Sequence, residues 1–327
     1  MTKKIFVLII GAVLLAHTFD AEAQQPTKIP RIGYLSANSS SAVATRVEAF
    51  RQGLRELGYV EGKYIVVEWR YAEGNPARLP SLAAELVRLK VDILVTASPP
   101  ATRAAKKATS TIPIVMTQDS DPVANGFVAS LARPGENISG LSTLAPELSG
   151  KRLELLKEIV PRLSRVVVLG TSTEPGNAQS LKEVERAAKA FGVKLQYLNV
   201  LNPKDIEIVF RAARKDHAES VLVLPSAVFI FQRTQIVELA VKNRLPAIYF
   251  RDRFVDDGGL MSYGVNLNDL DRRAATYVDK ILKGTKPAEL PVEQPIKFEF
   301  IVNLKAAKQI GLTIPPNVLR RADKIIR

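Results

Sequence analysis

The chain has 327 residues, with 46 Lys and Arg against 33 Asp and Glu, a net charge of +13 and no cysteine. Without cysteine there is no disulfide, no thiolate chemistry and no lipid-modified cysteine to tether the chain to a membrane. The basic excess is spread over predicted helices and mixed with Glu (Arg46, Arg51 and Arg55; Lys182, Arg186 and Lys189), which reads as solvated helix faces and not as a nucleic-acid groove.

The N-terminus reads as a secretory leader: Lys3 and Lys4, an uncharged apolar run from Ile5 to Ala16, then Ala21-Glu22-Ala23 as a small-x-small cleavage site. That run falls short of the ~20 apolar residues that span a bilayer, so cleavage near Ala23 and release without a membrane anchor are expected. Removing 23 of 327 residues leaves 304, enough for two domains with cores of their own. The leader carries away two Lys and two acids, Asp20 and Glu22, so the charge of +13 survives.

Beyond the leader, Arg31 to Leu35 is a short apolar strand, followed by a polar loop and a helix with Val43, Val47, Phe50, Leu54 and Leu57 on one face, ending at Gly58. Tyr64 to Arg70 reads as a strand, Leu79 to Leu89 as a helix, Val91 to Val95 as a strand and Ala101 to Ala108 as a helix. Strand Ile114 to Thr117, a short helix near Val123 to Leu131 and strand Ile138 to Leu141 complete the first half. The pattern then restarts with strand Val166 to Leu169, helix Ala178 to Phe191, strand Lys194 to Tyr197, helix Asp205 to Lys215 and strand Val221 to Leu224. Gly58 follows Ile32 by 26 residues and Gly192 follows Val166 by 26, as in two copies of one plan. Helix Gln232 to Lys242, strand Ala247 to Phe250, strand Leu260 to Tyr263, helix Leu267 to Leu282 and strand Lys297 to Val302 form a tail able to complete either sheet. Strands alternating with helices predict an α/β fold of two doubly wound, parallel-sheet lobes joined by a hinge.

The inventory of reactive groups is thin. After the leader the only histidine is His217, read as a surface residue, and no zinc-type ligand cluster is present. Gly150-Lys151 lacks the glycine five residues earlier and the following Ser or Thr of a phosphate loop, and no G-x-G-x-x-G follows a strand. No catalytic residue, metal or cofactor is therefore assigned, and the chain is read as a binder, not an enzyme. A cleft enzyme using Asp119 or Asp121 is the weakest alternative, since neither has a partner.

What recurs is a donor-rich loop at the C-terminal ends of five strands: Ser36 to Ser39, Thr96 to Pro99, Thr117 to Asp119, Thr171 to Thr173 and Pro225-Ser226. Open α/β sheets bind ligands at such strand ends, and hydroxyls and helix N-terminal amides suit a carboxylate or another small polar group. Ser36, Asn38, Ser98, Pro99, Thr171, Ser172 and Ser226 are candidates. So are Asp119 and Asp121, for which ligand contact competes with helix capping ahead of Pro122.

Several phrases carry a resemblance: Asp121-Pro-Val-Ala-Asn-Gly-Phe-Val-Ala-Ser-Leu-Ala-Arg-Pro-Gly135, Asn137-Ile-Ser-Gly-Leu-Ser142, Gly259-Leu-Met-Ser-Tyr-Gly264, Tyr277-Val-Asp-Lys-Ile-Leu-Lys-Gly284, Leu290-Pro-Val-Glu-Gln-Pro295 and Gly311-Leu-Thr-Ile-Pro-Pro316. Together they resemble the ABC transporter substrate-binding proteins of the tryptophan/tyrosine type, over essentially the whole mature chain. The resemblance implies a type I periplasmic-binding-protein architecture with three crossovers. On that plan 31–141 plus 260–288 form lobe one and 142–259 plus 289–327 form lobe two. It adds Tyr249, Arg251 and Tyr263 to the cleft, and it implies a monomer in the periplasm, an ABC permease and ATPase as partners, and an amino acid, especially an aromatic one, as ligand. The alternative is a ligand-sensing protein that signals to a membrane receptor.

Overall fold

The computed structural model describes residues 29–143, 145–174 and 176–327; the leader read at 1–23 lies outside them. Strands β1 (Arg31–Ser36), β2 (Val66–Tyr71), β3 (Ile93–Thr96), β4 (Ile114–Met116) and β5 (Ile138–Gly140) form a parallel sheet in the order β2-β1-β3-β4-β5. Its side chains alternate between two buried faces, as the pleat requires. Ile32, Tyr34, Ile93 and Val95 meet helix α1 (Ala44–Glu56), whereas Leu35, Leu94, Ile114 and Met116 meet α2 (Leu79–Arg88) and α3 (Pro99–Ala108).

The second sheet has seven strands: β6 (Arg165–Gly170), β7 (Lys194–Asn199), β8 (Ser220–Val223), β9 (Ala247–Tyr249), β10 (Met261–Val265), β11 (Phe298–Asn303) and β12 (Lys324–Ile326), in the order β12-β11-β10-β9-β8-β6-β7. The run β7-β6-β8-β9-β10 repeats the order β2-β1-β3-β4-β5, so the duplicated plan read from the sequence is a duplicated topology. Beyond it, β11 pairs antiparallel to β10, and β12 pairs parallel to β11. One face is covered by α4 (Ala145–Ile159) and α5 (Asn177–Phe191), the other by α6 (Asp205–Lys215), α7 (Ala227–Phe231), α8 (Arg233–Lys242) and α9 (Arg253–Asp256).

The chain changes sheet after β5, again between β10 and helix α10 (Leu267–Leu282), and a third time before β11. Helix α10 packs along α1, and Gly53 admits it: a Cβ there would lie 2.2 Å from the Arg272 carbonyl oxygen. A buried ion pair ties the two helices, Arg46 Nε donating to Asp271 Oδ2 at 2.7 Å. Helices α11 (Leu304–Gln309) and α12 (Pro316–Leu319) precede the last strand.

These boundaries differ from the expected ones. Strand 261–265, placed with lobe one, hydrogen-bonds to β9 and β11 of the second sheet. Leu290 and Val292, placed with lobe two, pack into the first lobe's cores, and Leu141 bridges Glu293. The expected helix near 123–131 is a series of turns in which the Phe127 amide returns to the Pro122 carbonyl and the Ala129 amide to that of Pro134. Helix α4, in a stretch where no element is predicted from the sequence, is one of the longest, with Leu153, Leu155, Leu156 and Ile159 buried. Among the described residues no helix is long and apolar enough to cross a membrane.

Candidate functional site

The C-terminal ends of the two sheets face one another. Arg251, two residues past β9, donates from Nη2 to Gln118 Oε1 past β4 at 3.2 Å, and Arg253 donates to the Ala42 carbonyl ahead of α1. At the rim, the Phe231 ring of α7 lies against Gly74 of the opposite lobe. The strand-end loops expected to line a cleft therefore meet in this structure, which has the lobes closed on one another.

On the first lobe, Ser36 is fully buried and its Oγ accepts the Asn38 amide at 3.1 Å, shaping the loop after β1. Ser98 caps α3, its Oγ accepting the Ala101 amide at 3.4 Å, with Pro99 at the first helical position. Its neighbour Thr96 is held against Thr102, hydroxyl to hydroxyl, at 2.8 Å. Gln118 is positioned from behind by donating Nε2 to the Ala97 carbonyl at 2.6 Å, which leaves Oε1 for Arg251.

Asp119 is the most unusual group. It is 1% exposed; Oδ1 accepts the Asp121 amide at 2.9 Å and the Asn125 side-chain amide at 2.8 Å, while Oδ2 is buried with no partner. Burial raises its carboxyl from the ordinary 3.8 to about 7, and the two hydrogen bonds offset this only in part. Thr117 Oγ1 and Ser142 Oγ, at the ends of the adjacent strands, are likewise buried and unpartnered. Such orphaned polar atoms grouped at one place mark a site that a polar ligand would complete. Asp121 does otherwise: its Oδ1 accepts the Ala124 amide at 2.9 Å, the capping arrangement.

On the second lobe, Thr171 and Ser226 share a hydrogen bond at 2.8 Å, and both are buried. Asn177 orders this end by accepting the Thr171 amide at 2.9 Å and donating to the Pro225 carbonyl at 2.6 Å. Ser172 is exposed, its amide bound to Asn199 Oδ1 at 2.8 Å.

The two tyrosines stand apart. Tyr249 turns into the helix layer and stacks on Phe254 with 4.7 Å between ring centroids, its hydroxyl enclosed without a partner. Tyr263 packs on the opposite sheet face, between Phe298 and Phe300. The pleat sends Tyr249 into a core and lays Tyr263, half-buried, against another. His217 is exposed ahead of β8, at the far end of its sheet.

Sequence reasoning also passed over Arg152, a fully enclosed guanidinium in α4. Its Nε donates to the Tyr263 carbonyl at 2.8 Å and its Nη1 to Ser149 Oγ at 3.2 Å. Its residue type on a helix face otherwise spaced as amphipathic was the available signal. Surface cavities of about 200 Å³, beside Arg165, Lys194 and Asp216, and about 490 Å³, beside Ser110, Asn137 and Pro287, open at the N-terminal ends of the strands, away from the donor loops. Among the described residues no group of three or more His, Cys, Asp or Glu is placed to hold a metal ion.

The sequence model of a family described as ABC transporter substrate binding protein matches residues 32–326. A tyrosine-binding protein of Clostridioides difficile (strain R20291) is 27% identical over 268 residues, spanning 81% of this chain and 76% of that protein. Among solved structures, a conserved domain protein from Vibrio cholerae is 30% identical, with a TM-score of 0.82 over 91% of this chain and all, 100%, of that one. An ABC domain from Streptococcus pneumoniae, in complex with L-Trp, is 24% identical with a TM-score of 0.83, covering 91% and 99% of the two chains.

Proposed function

Because the chain belongs to the ABC transporter substrate-binding protein family, we propose that it is exported, loses its leader near Ala23, and as a periplasmic monomer binds an amino acid in the cleft between its two sheets for delivery to an ABC permease and its ATPase. The observation that carries the reading is Asp119, a buried carboxylate with one oxygen unpartnered among hydroxyl-bearing strand ends. An ammonium placed against Oδ2 supplies the missing partner, and hydroxyls at the ends of both sheets hold the remainder. Ser98, Ser36 and Asn38 would serve from lobe one, Thr171, Ser172 and Ser226 from lobe two. The aromatic class of side chain rests on the two relatives, one named for tyrosine and one holding L-Trp. The chain binds and releases its ligand unchanged.

Calorimetry with L-tyrosine and L-tryptophan tests the reading, together with mass spectrometry of small molecules released by denaturing the purified protein. A buried charge-assisted hydrogen bond is worth roughly 1.5–3 kcal/mol, so Asp119→Ala should weaken binding by about ten- to a hundredfold, whereas Ser98→Ala, losing a neutral bond of ~1 kcal/mol, should lose less. If Asp119 is only a turn cap, the variant loses about 1 kcal/mol of stability and keeps its affinity.

A further inference from the structure

Among the described residues, two guanidinium groups at the junction of the lobes form no ion pair. Arg152 donates, among the described residues, to neutral acceptors alone, the Tyr263 carbonyl and Ser149 Oγ. Arg251 donates to a neutral amide oxygen, that of Gln118. Among the described residues the ion pairs nearby engage other cations: Arg46 is neutralised by Asp271, and Arg273 by Asp269 and Glu293. Asp252, next in sequence to Arg251, is exposed and accepts the Arg253 amide at 2.9 Å. Burial pushes the Arg152 guanidinium down to about 9 and that of Arg251 to about 10; the charge of Arg251 adds to the depression at Arg152, and that of Arg46 to the one at Arg251, where Asp252 and Asp271 offset it only in part. Tyr263, whose carbonyl Arg152 binds, follows Ser262, the partner of Tyr249 at the end of β9, so the two cations lie near one another, Arg152 fully buried and Arg251 half-buried.

A fold seldom encloses a cation without an anion, because desolvation is then uncompensated. Arg152 projects from α4, the first helix after the chain leaves lobe one, and Arg251 from the end of β9; Gln118, which reaches across to Arg251, is followed in the chain by Asp119. Anionic and cationic groups therefore occupy adjoining parts of the closed junction.

We propose that Arg152 and Arg251 form the anion-binding end of the cleft, so that the ligand carries a carboxylate which settles against both guanidiniums as the lobes close. The proposal rests on the cleft-binding reading above and adds the charge of the ligand and a holding residue in α4. A planar guanidinium suits this task through paired, parallel N–H donors. The carboxylate also relieves the repulsion between the two arginines, which couples ligand charge to closure.

The test titrates each protein L-amino acid and its carboxamide, which removes only the negative charge, into the wild type and into R152M, R152K and R251M. In the wild type, an acid that binds should do so at least about tenfold more tightly than its amide, as expected for a charge-assisted bond. In R152M and R251M that acid-to-amide ratio should fall toward one, with R152K between; unliganded melting temperatures report folding separately. A merely structural arginine would weaken acid and amide alike and leave the ratio unchanged, and that result overturns the proposal. So does equal binding of acid and amide by the wild type, or the failure of every acid to bind. If tyrosine and tryptophan are silent while another acid binds with the expected ratio, the aromatic reading fails and the anion end stands.

Discussion

Asp119 is closed off from water while one of its oxygens has no hydrogen-bond partner, and this makes its protonation a property of the fold. Its carboxyl is raised from 3.8 to about 7, so the folded chain holds a proton that the unfolded chain releases near pH 4. The stabilisation from this proton is complete below about pH 4 and is lost as the pH rises through about 7. Thermal melts of the ligand-free protein between pH 4 and 8 should therefore show a fall in stability that Asp119→Asn flattens, since the amide does not titrate; an unchanged slope in the variant would assign the fall to other groups. A bound ammonium reverses the preference, because it pairs only with the ionised form, so the affinity for an amino acid should increase as the pH rises from 5 to 8. The presence of Asp119 after a strand end was legible in the sequence. Its missing partner was not, because a hydrogen-bond vacancy depends on Asn125, Thr143 and every neighbour that fails to reach it.

At the scale of elements, a short apolar strand is read correctly and placed in the wrong lobe, next to a helix, α10, whose extent the pattern gives. Its bounds are those the periodicity predicts, Leu267 to Leu282, and Asn266 caps it by accepting the Asp269 amide at 2.9 Å. The strand just before it, however, is buried on both faces and fits either sheet by pattern alone; hydrogen bonding to β9 and β11 decides the matter. The helix itself crosses back to lobe one, where Gly53 lets the backbones of α1 and α10 approach. This yields a prediction of definite sign. An interior helical glycine changed to alanine ordinarily gains about 0.5–1 kcal/mol, but at Gly53 the new methyl meets the Arg272 carbonyl oxygen, so Gly53→Ala should lose roughly 1–3 kcal/mol in chemical denaturation. A gain in stability would mean that the two helices separate freely.

For the whole molecule, the contacts of Arg251 with Gln118, of Arg253 with the Ala42 carbonyl and of Phe231 with Gly74 join lobes that are also linked by the three passages of the chain. Domains joined in this way close as hinged bodies around a ligand held from both sides. Small-angle scattering should give a smaller radius of gyration for the protein saturated with its ligand than for the ligand-free protein, and no change would argue for a rigid, preformed site. The sequence by itself determined the alternation of strands and helices, the duplicated plan and the donor-rich strand ends, because each follows from periodicity and composition within a few tens of residues. Tertiary structure alone decided that Tyr249 turns into a core and Tyr263 lies half-buried against another, while Gln118 and Arg251 meet and Arg152 is buried near them. Those outcomes depend on which face of a sheet a residue takes and on how segments more than a hundred residues apart pack, and no local pattern encodes either.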